Sequence, residues 1–140
     1  MKLALGSDHA GYDLKEKIKG LLKEKNLGYE DFGPYNEESV DYPDFGHKVG
    51  SVVDSNDYEL GIVICGSGNG INMTVNKYKN VRSALCWTSE ICELARAHNN
   101  ANVLAIPARF ISEESAIEIV ETFISTEFEG GRHERRINKI

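Results

Sequence analysis

Cys65 ends an apolar run, GIVIC, and stands directly before three glycines at alternate positions, Gly66, Gly68 and Gly70. A thiol at the carboxyl end of a strand is placed to act as a base or nucleophile, because backbone N–H donors beside it stabilise a thiolate. The loop formed by Gly66, Ser67, Gly68, Asn69 and Gly70 leads into a helical pattern and is suited to hold an anion on its N–H groups. Two nucleotide motifs fail on spacing. Gly61 and Gly66 are separated like P-loop glycines, but Ser67 and Gly68 follow where Lys and Ser or Thr are needed. Gly66 to Gly70 reads GxGxG rather than GxGxxG. A core cysteine that closes a buried strand is the competing reading of Cys65.

Other reactive side chains fall in three segments. GSDHAG (6–11) places Asp8 and His9 after an apolar run. Alone, Asp8 reads as a helix cap or turn residue, but an adjacent Asp–His pair at a strand's carboxyl end has little packing purpose. His98 lies in ARAHNNAN (95–102), and His133 lies in EGGRHERRI (129–137) beside Arg132, Arg135 and Arg136. The bland reading of that last segment is a solvated charged tail. Cys86 and Cys92 fall inside an expected strand and helix, so both read as buried structural thiols. Three cysteines without CxxC spacing give no metal-ligand set, and no metal centre is expected.

The bulk composition bounds the function. With 41% hydrophobic and 27% charged residues, the 140-residue chain belongs to the globular class and suffices for one core. A net charge of −6 argues against nucleic acid and acidic membranes as partners, since both need a basic face. The short GRHERR cluster is enough for a single phosphate group. No apolar run approaches the ~18 residues of a membrane span, and Asp8 and His9 interrupt any signal-like stretch near Met1. Reduced thiols in the cytoplasm are the expectation.

These residues need a scaffold, and the pattern supplies one domain, 1–140, with a polar, basic tail at 126–140. Strands are expected at 2–7, 28–32, 60–65, 82–87 and 102–106. Helices are expected at 11–25, 43–54, 69–77, 89–97 and 112–125, with a short one in the tail. Pro43 suits a first helical turn, Thr88 or Ser89 an N-cap, and Ser112 another. LGIVIC (60–65) is continuously apolar, as a strand covered on both faces should be. Alternating β and α segments predict an open parallel sheet of five strands with helices on both faces. Ligands bind such sheets beyond the carboxyl ends of the strands, near a topological switch point. That rule selects Asp8, His9 and the Cys65 loop.

The ordered set GSDHAG, DYPD (41–44), GIVICGSGNGI, NK (76–77), ARAHNNAN and EGGRHERRI resembles the ribose-5-phosphate isomerase B family of sugar-phosphate isomerases, over residues 3 to 137. MTVNK (73–77) departs mildly, because the family more often has small residues before its Asn–Lys pair. The resemblance implies a Rossmann-like three-layer α/β sandwich. It also implies a dimer or dimer of dimers, and interconversion of D-ribose 5-phosphate and D-ribulose 5-phosphate without metal or organic cofactor. On the matching positions it implies Cys65 as the base moving a proton between C1 and C2, and His98 as the residue that opens the furanose ring. Asp8 would meet sugar hydroxyls, and Gly66 to Gly70 the enediolate oxyanion, with Asn99 a further substrate contact. His9, Arg109, Arg132 and Arg136 would bind phosphate and substrate. One branch of the family uses a glutamate just after the glycine loop as base; Ile71 stands there, which favours Cys65. Six-carbon substrates such as allose 6-phosphate or galactose 6-phosphate, and a non-catalytic phosphate-binding module, stay open as alternatives.

One consequence is topological. Cys65 ends a strand and belongs at the carboxyl edge of the sheet. His98 ends a helix running back, and a helix of nine residues spans about 13 Å. The two are expected to meet only across a two-fold interface, in a homodimer with shared sites.

Overall fold

The computed structural model describes all 140 residues. Its elements are β1 (Lys2–Ser7), α1 (Tyr12–Glu24), β2 (Gly28–Asp31), α2 (Tyr42–Asp54), β3 (Leu60–Cys65), α3 (Asn69–Val75), β4 (Ser83–Leu85), α4 (Ser89–Ala97), β5 (Val103–Pro107), α5 (Glu113–Ser125) and α6 (Arg132–Ile137). Each neighbouring strand pair is parallel, in the order β2-β1-β3-β5-β4. The chain leaves β1 for β2 on one side and returns to β3 on the other. The switch point therefore lies between β1 and β3.

Strand alternation divides the core into two layers. Leu3, Leu5, Ile62 and Ile64 face one side, where Ile18 and Leu22 of α1, Cys92 of α4 and Ile119 and Phe123 of α5 cover them. Ala4, Val63 and Cys65 face the other, against Val49 and Val53 of α2 and Ile71 and Val75 of α3. Both faces of β3 are thus dry, which is why its sequence is apolar without interruption. Each fully buried Ile or Leu here contributes about 1.5–3 kcal/mol.

Local signals set most boundaries. Thr88 accepts the Ile91 N–H at the start of α4, and Ser112 accepts the Ser115 N–H at the start of α5. The clearest difference from expectation is β4, which covers Ser83–Leu85 rather than 82–87. It is an edge strand, and the Asn76 side chain occupies its open side. The Asn76 amide accepts the Ser83 N–H at 2.8 Å and donates to the Ser83 carbonyl at 3.0 Å. Cys86 lies one residue beyond the strand, although its N–H still donates to the Ala105 carbonyl. Cys86 and Cys92 are both fully buried, as expected of structural thiols.

Candidate active site

Three strand ends converge at the carboxyl edge. Ser7 of β1 pairs with Ile64, and Cys65 of β3 pairs with Pro107 of β5. Asp8, directly after β1, is 8% exposed; its carboxylate accepts the Gly11 N–H at 3.0 Å, and its own N–H donates to the Ile64 carbonyl. Cys65 is 4% exposed, and its side chain sits with Ile71 on the α2–α3 face. Ser67 and Asn69 of the following loop are exposed, while Gly68 adopts a left-handed φ of 75° that places the start of α3. Arg109, two residues after β5, donates its backbone N–H to the Gly66 carbonyl at 3.0 Å. Its guanidinium lies over the loop: a Cβ at Gly66 would be 3.3 Å from Arg109 Nη1. A thiol, a carboxylate, a glycine loop and an arginine thus share one edge.

The segment 31–42 joins them. Lys15 of α1 is fully buried and donates to Asp31 Oδ1 at 2.6 Å and to the Pro34 carbonyl at 2.7 Å. Lys19 reaches the other Asp31 oxygen at 2.9 Å. Burial pulls the Lys15 ammonium below its usual pKa, outweighing its attraction to Asp31. Burial alone would raise Asp31, but hydrogen bonds from Lys15, Lys19 and the Gly33 N–H hold its carboxyl below the usual range. The anchored segment then returns to the site, where the Val40 N–H donates to His9 Nδ1 at 3.1 Å. Tyr42 lies against the glycine loop, its hydroxyl 2.8 Å from where a Cβ on Gly70 would be. Tyr42 and the Val40 N–H are neighbours of the candidate site residues Gly70 and His9 that residue spacing did not mark. The only signal was DYPD, which places Tyr42 directly before the helix-starting proline.

His98 and Asn99 are elsewhere. Asn102 stands just before β5, and its carbonyl receives the N–H of Gly61 at the start of β3. Arg82, just before β4, donates to the carbonyls of Asn99 and Asn100. The end of α4 is therefore clamped to the amino edge of the sheet. β5 runs between the two edges over Val103–Pro107, a rise of about 13 Å. Here His98 stacks on His133, with ring centroids 4.1 Å apart and an interplanar angle of 11°. Burial, then the neighbouring His98 and Arg132, lower the pKa of His133. Arg132 and Arg136 are exposed on α6, four residues apart and so on one face of it. One chain thus holds Cys65, Asp8 and Arg109 at the carboxyl edge of the sheet and His98, Asn99 and His133 at the amino edge. A cavity of about 620 Å³ lies beside Asn99 with Lys77, Tyr78 and Arg82, away from Cys65.

A doubly wound parallel sheet with its reactive groups beyond the strand ends at a switch point is the architecture of an α/β protein acting on a small anionic ligand. Within that class the particular family is shown. The chain belongs to the Ribose/Galactose Isomerase family, whose model matches residues 3–140. A solved ribose-5-phosphate isomerase B from Clostridium thermocellum is 46% identical, with TM-score 0.98 over 99% of this chain and 94% of that one. The Thermotoga maritima enzyme is 51% identical, with TM-score 0.96 over 99% and 95%. The Mycoplasma genitalium ribose-5-phosphate isomerase B, solved with bound ribulose-5-phosphate, is 45% identical, with TM-score 0.95 over 99% and 92%. No helix of the chain is long and apolar enough to cross a membrane.

Proposed function

We propose that the chain is an aldose–ketose isomerase that interconverts D-ribose 5-phosphate and D-ribulose 5-phosphate. The observation that carries this reading is the buried Cys65 thiol at the end of β3, directly before the Gly66–Gly70 loop and beside Arg109. The likeness to the enzyme solved with ribulose-5-phosphate supports the substrate.

Isomerisation needs a base at the carbon between the two oxygens and donors for the oxyanion that forms. Cys65 removes the proton from C2 of the open-chain aldose, and the electron pair moves to the carbonyl oxygen as an enediolate. N–H groups of the Gly66–Gly70 loop stabilise that oxyanion; the O2 proton then passes to O1 and the proton on Cys65 returns to C1, which leaves the carbonyl at C2. Asp8 hydrogen-bonds sugar hydroxyls. His9 and Arg109 act on the phosphate and substrate from one chain, Arg132 and Arg136 from another, guanidinium groups being matched to phosphate by their paired donors. His98 opens the furanose by moving a proton from the anomeric hydroxyl to the ring oxygen, with Asn99 as a further contact. None of these steps calls for a metal or organic cofactor.

The complete site is formed across a two-fold homodimer interface, alone or within a dimer of dimers. The exposed apolar residues support this reading. Ile91, Leu94 and His98 follow one another at spacings of three and four, and the first two are 38% and 41% exposed on the outer face of α4. Trp87 and Phe110, 54% and 76% exposed, flank a shallow groove that also includes Ser67 and Asn69 of the glycine loop. A monomer rarely leaves such surface uncovered.

A direct assay on ribose 5-phosphate without added metal tests the function. Cys65→Ala should lose about 10²–10⁴-fold in turnover while retaining phosphate binding. Full activity in that variant removes Cys65 as the base. Turnover of six-carbon phosphates alone moves the substrate assignment. Ligand binding insensitive to Cys65→Ala, with turnover by neither form, identifies a non-catalytic phosphate-binding module.

A further inference from the structure

Beside His98, two other side chains offer metal-ligating atoms. Nε2 of His98 is 3.8 Å and Nε2 of His133 is 3.5 Å from Oε2 of Glu129, wider than N–H···O hydrogen bonds. No two of the three candidate ligand atoms are more than 4.8 Å apart. The backbone holds this arrangement. The Glu129 N–H donates to the carbonyl of Ala97, one residue before His98, at 3.0 Å. Gly130 and Gly131 then reverse the chain with φ of 67° and 56°, returning His133 to Glu129 four residues on. A Cβ at either glycine would meet nothing within 4 Å, so the left-handed backbone, not crowding, favours glycine there.

We infer that His98, Glu129 and His133 form a binding site for a divalent transition-metal ion, and that occupancy of this site inhibits the enzyme. Two imidazoles and a carboxylate are a donor set of zinc sites, with bonds of about 2.0–2.2 Å and so ligand separations near 3.3 Å. The two N···O separations are already close to that value. The two rings stack nearly parallel, so a shared ion requires them to turn out of the stack, and His98, 37% exposed, has room to turn. Imidazole selects zinc, nickel or copper over magnesium and calcium. Glu129 is 61% exposed, which leaves an entry path and a coordination position for water. The metal site stands on this geometry alone; its inhibitory effect rests on the proposed ring-opening role of His98.

Binding is tested without substrate. Zinc titrated into the metal-free protein should bind one ion per chain in calorimetry. Cobalt should give visible d–d bands without a sulfur-to-cobalt charge-transfer band. Glu129→Gln should weaken both at least about tenfold while leaving metal-free turnover unchanged. A sulfur band, or affinity unchanged in both Glu129→Gln and His133→Asn, overturns the site by moving the ion to Cys65 or another group. With the site loaded, turnover should fall and return on chelation; turnover at the metal-free rate overturns the inhibitory role. A metal-free wild type inactive on every sugar phosphate overturns the isomerase reading instead, and the titration still decides the site.

Discussion

Nδ1 of His9 accepts the backbone N–H of Val40 at 3.1 Å, across a sequence separation of 31 residues. The acceptor role fixes the neutral ring's proton on Nε2, so His9 presents an N–H donor from the turn after β1. A phosphate oxygen is a suitable acceptor for that donor.

His9→Asn tests the donor. Its amide oxygen can replace Nδ1 as the partner of Val40, but nothing replaces Nε2–H. Loss of a hydrogen bond to a charged group costs about 1.5–3 kcal/mol. KM for ribose 5-phosphate should therefore rise about tenfold or more, with a smaller change in kcat, in steady-state kinetics. An unchanged KM removes His9 from phosphate binding.

Gly68 places the loop in a different way. Its φ is 75°, and an added Cβ would collide with Leu85 Cδ1 and lie 3.2 Å from the Ile106 carbonyl carbon. Gly68→Ala should cost about 1–3 kcal/mol through strain and overpacking, read as a lower Tm, and should lower turnover as the loop shifts. Gly130→Ala is the control, because its Cβ meets nothing and only the backbone is strained.

Much of this was legible in the sequence because it depends on local pattern. The continuous LGIVIC run marked a strand covered on both faces, and its end placed Cys65 at the ligand edge. The antiparallel course expected of 89–97 places His98 at the opposite edge. What stayed hidden was carried by long-range contacts without periodicity. Tyr42 meets Gly70 from the first position of α2, and Val40 meets His9 through a backbone N–H, which leaves no side-chain signal. Lys15 lies among charged residues in DLKEKIKG, where no local pattern marks its complete burial on Asp31. β4 reads too long because RSALCW is apolar enough to continue, whereas its pairing with β5 ends at Leu85 and Ala105.

The Lys15–Asp31–Lys19 cluster predicts acid sensitivity. Asp31 titrates below its usual range when folded, so its stabilisation is present above the unfolded carboxyl value of about 3.9 and is lost as pH falls through the folded one. Asp31→Asn should flatten the fall in stability below about pH 4 in denaturant titrations. It also leaves buried Lys15 without its counter-charge, at a cost of about 3–5 kcal/mol near neutral pH. An acid limb identical to wild type would show that other carboxylates govern it.

Cys65 and His98 lie at opposite sheet edges, so a site using both must draw on two chains. Cys65→Ala and His98→Ala should each be nearly inactive alone. In a mixed dimer, one site combines both altered residues and the other combines intact Cys65 from one chain with intact His98 from the other. Random exchange of equal amounts makes half of the dimers mixed, each with one of two sites restored. Activity should therefore return to about a quarter of wild type. A site within one chain would leave every mixture inactive. Verified mixed dimers, identified by mass, that fail to turn over ribose 5-phosphate would overturn the shared site.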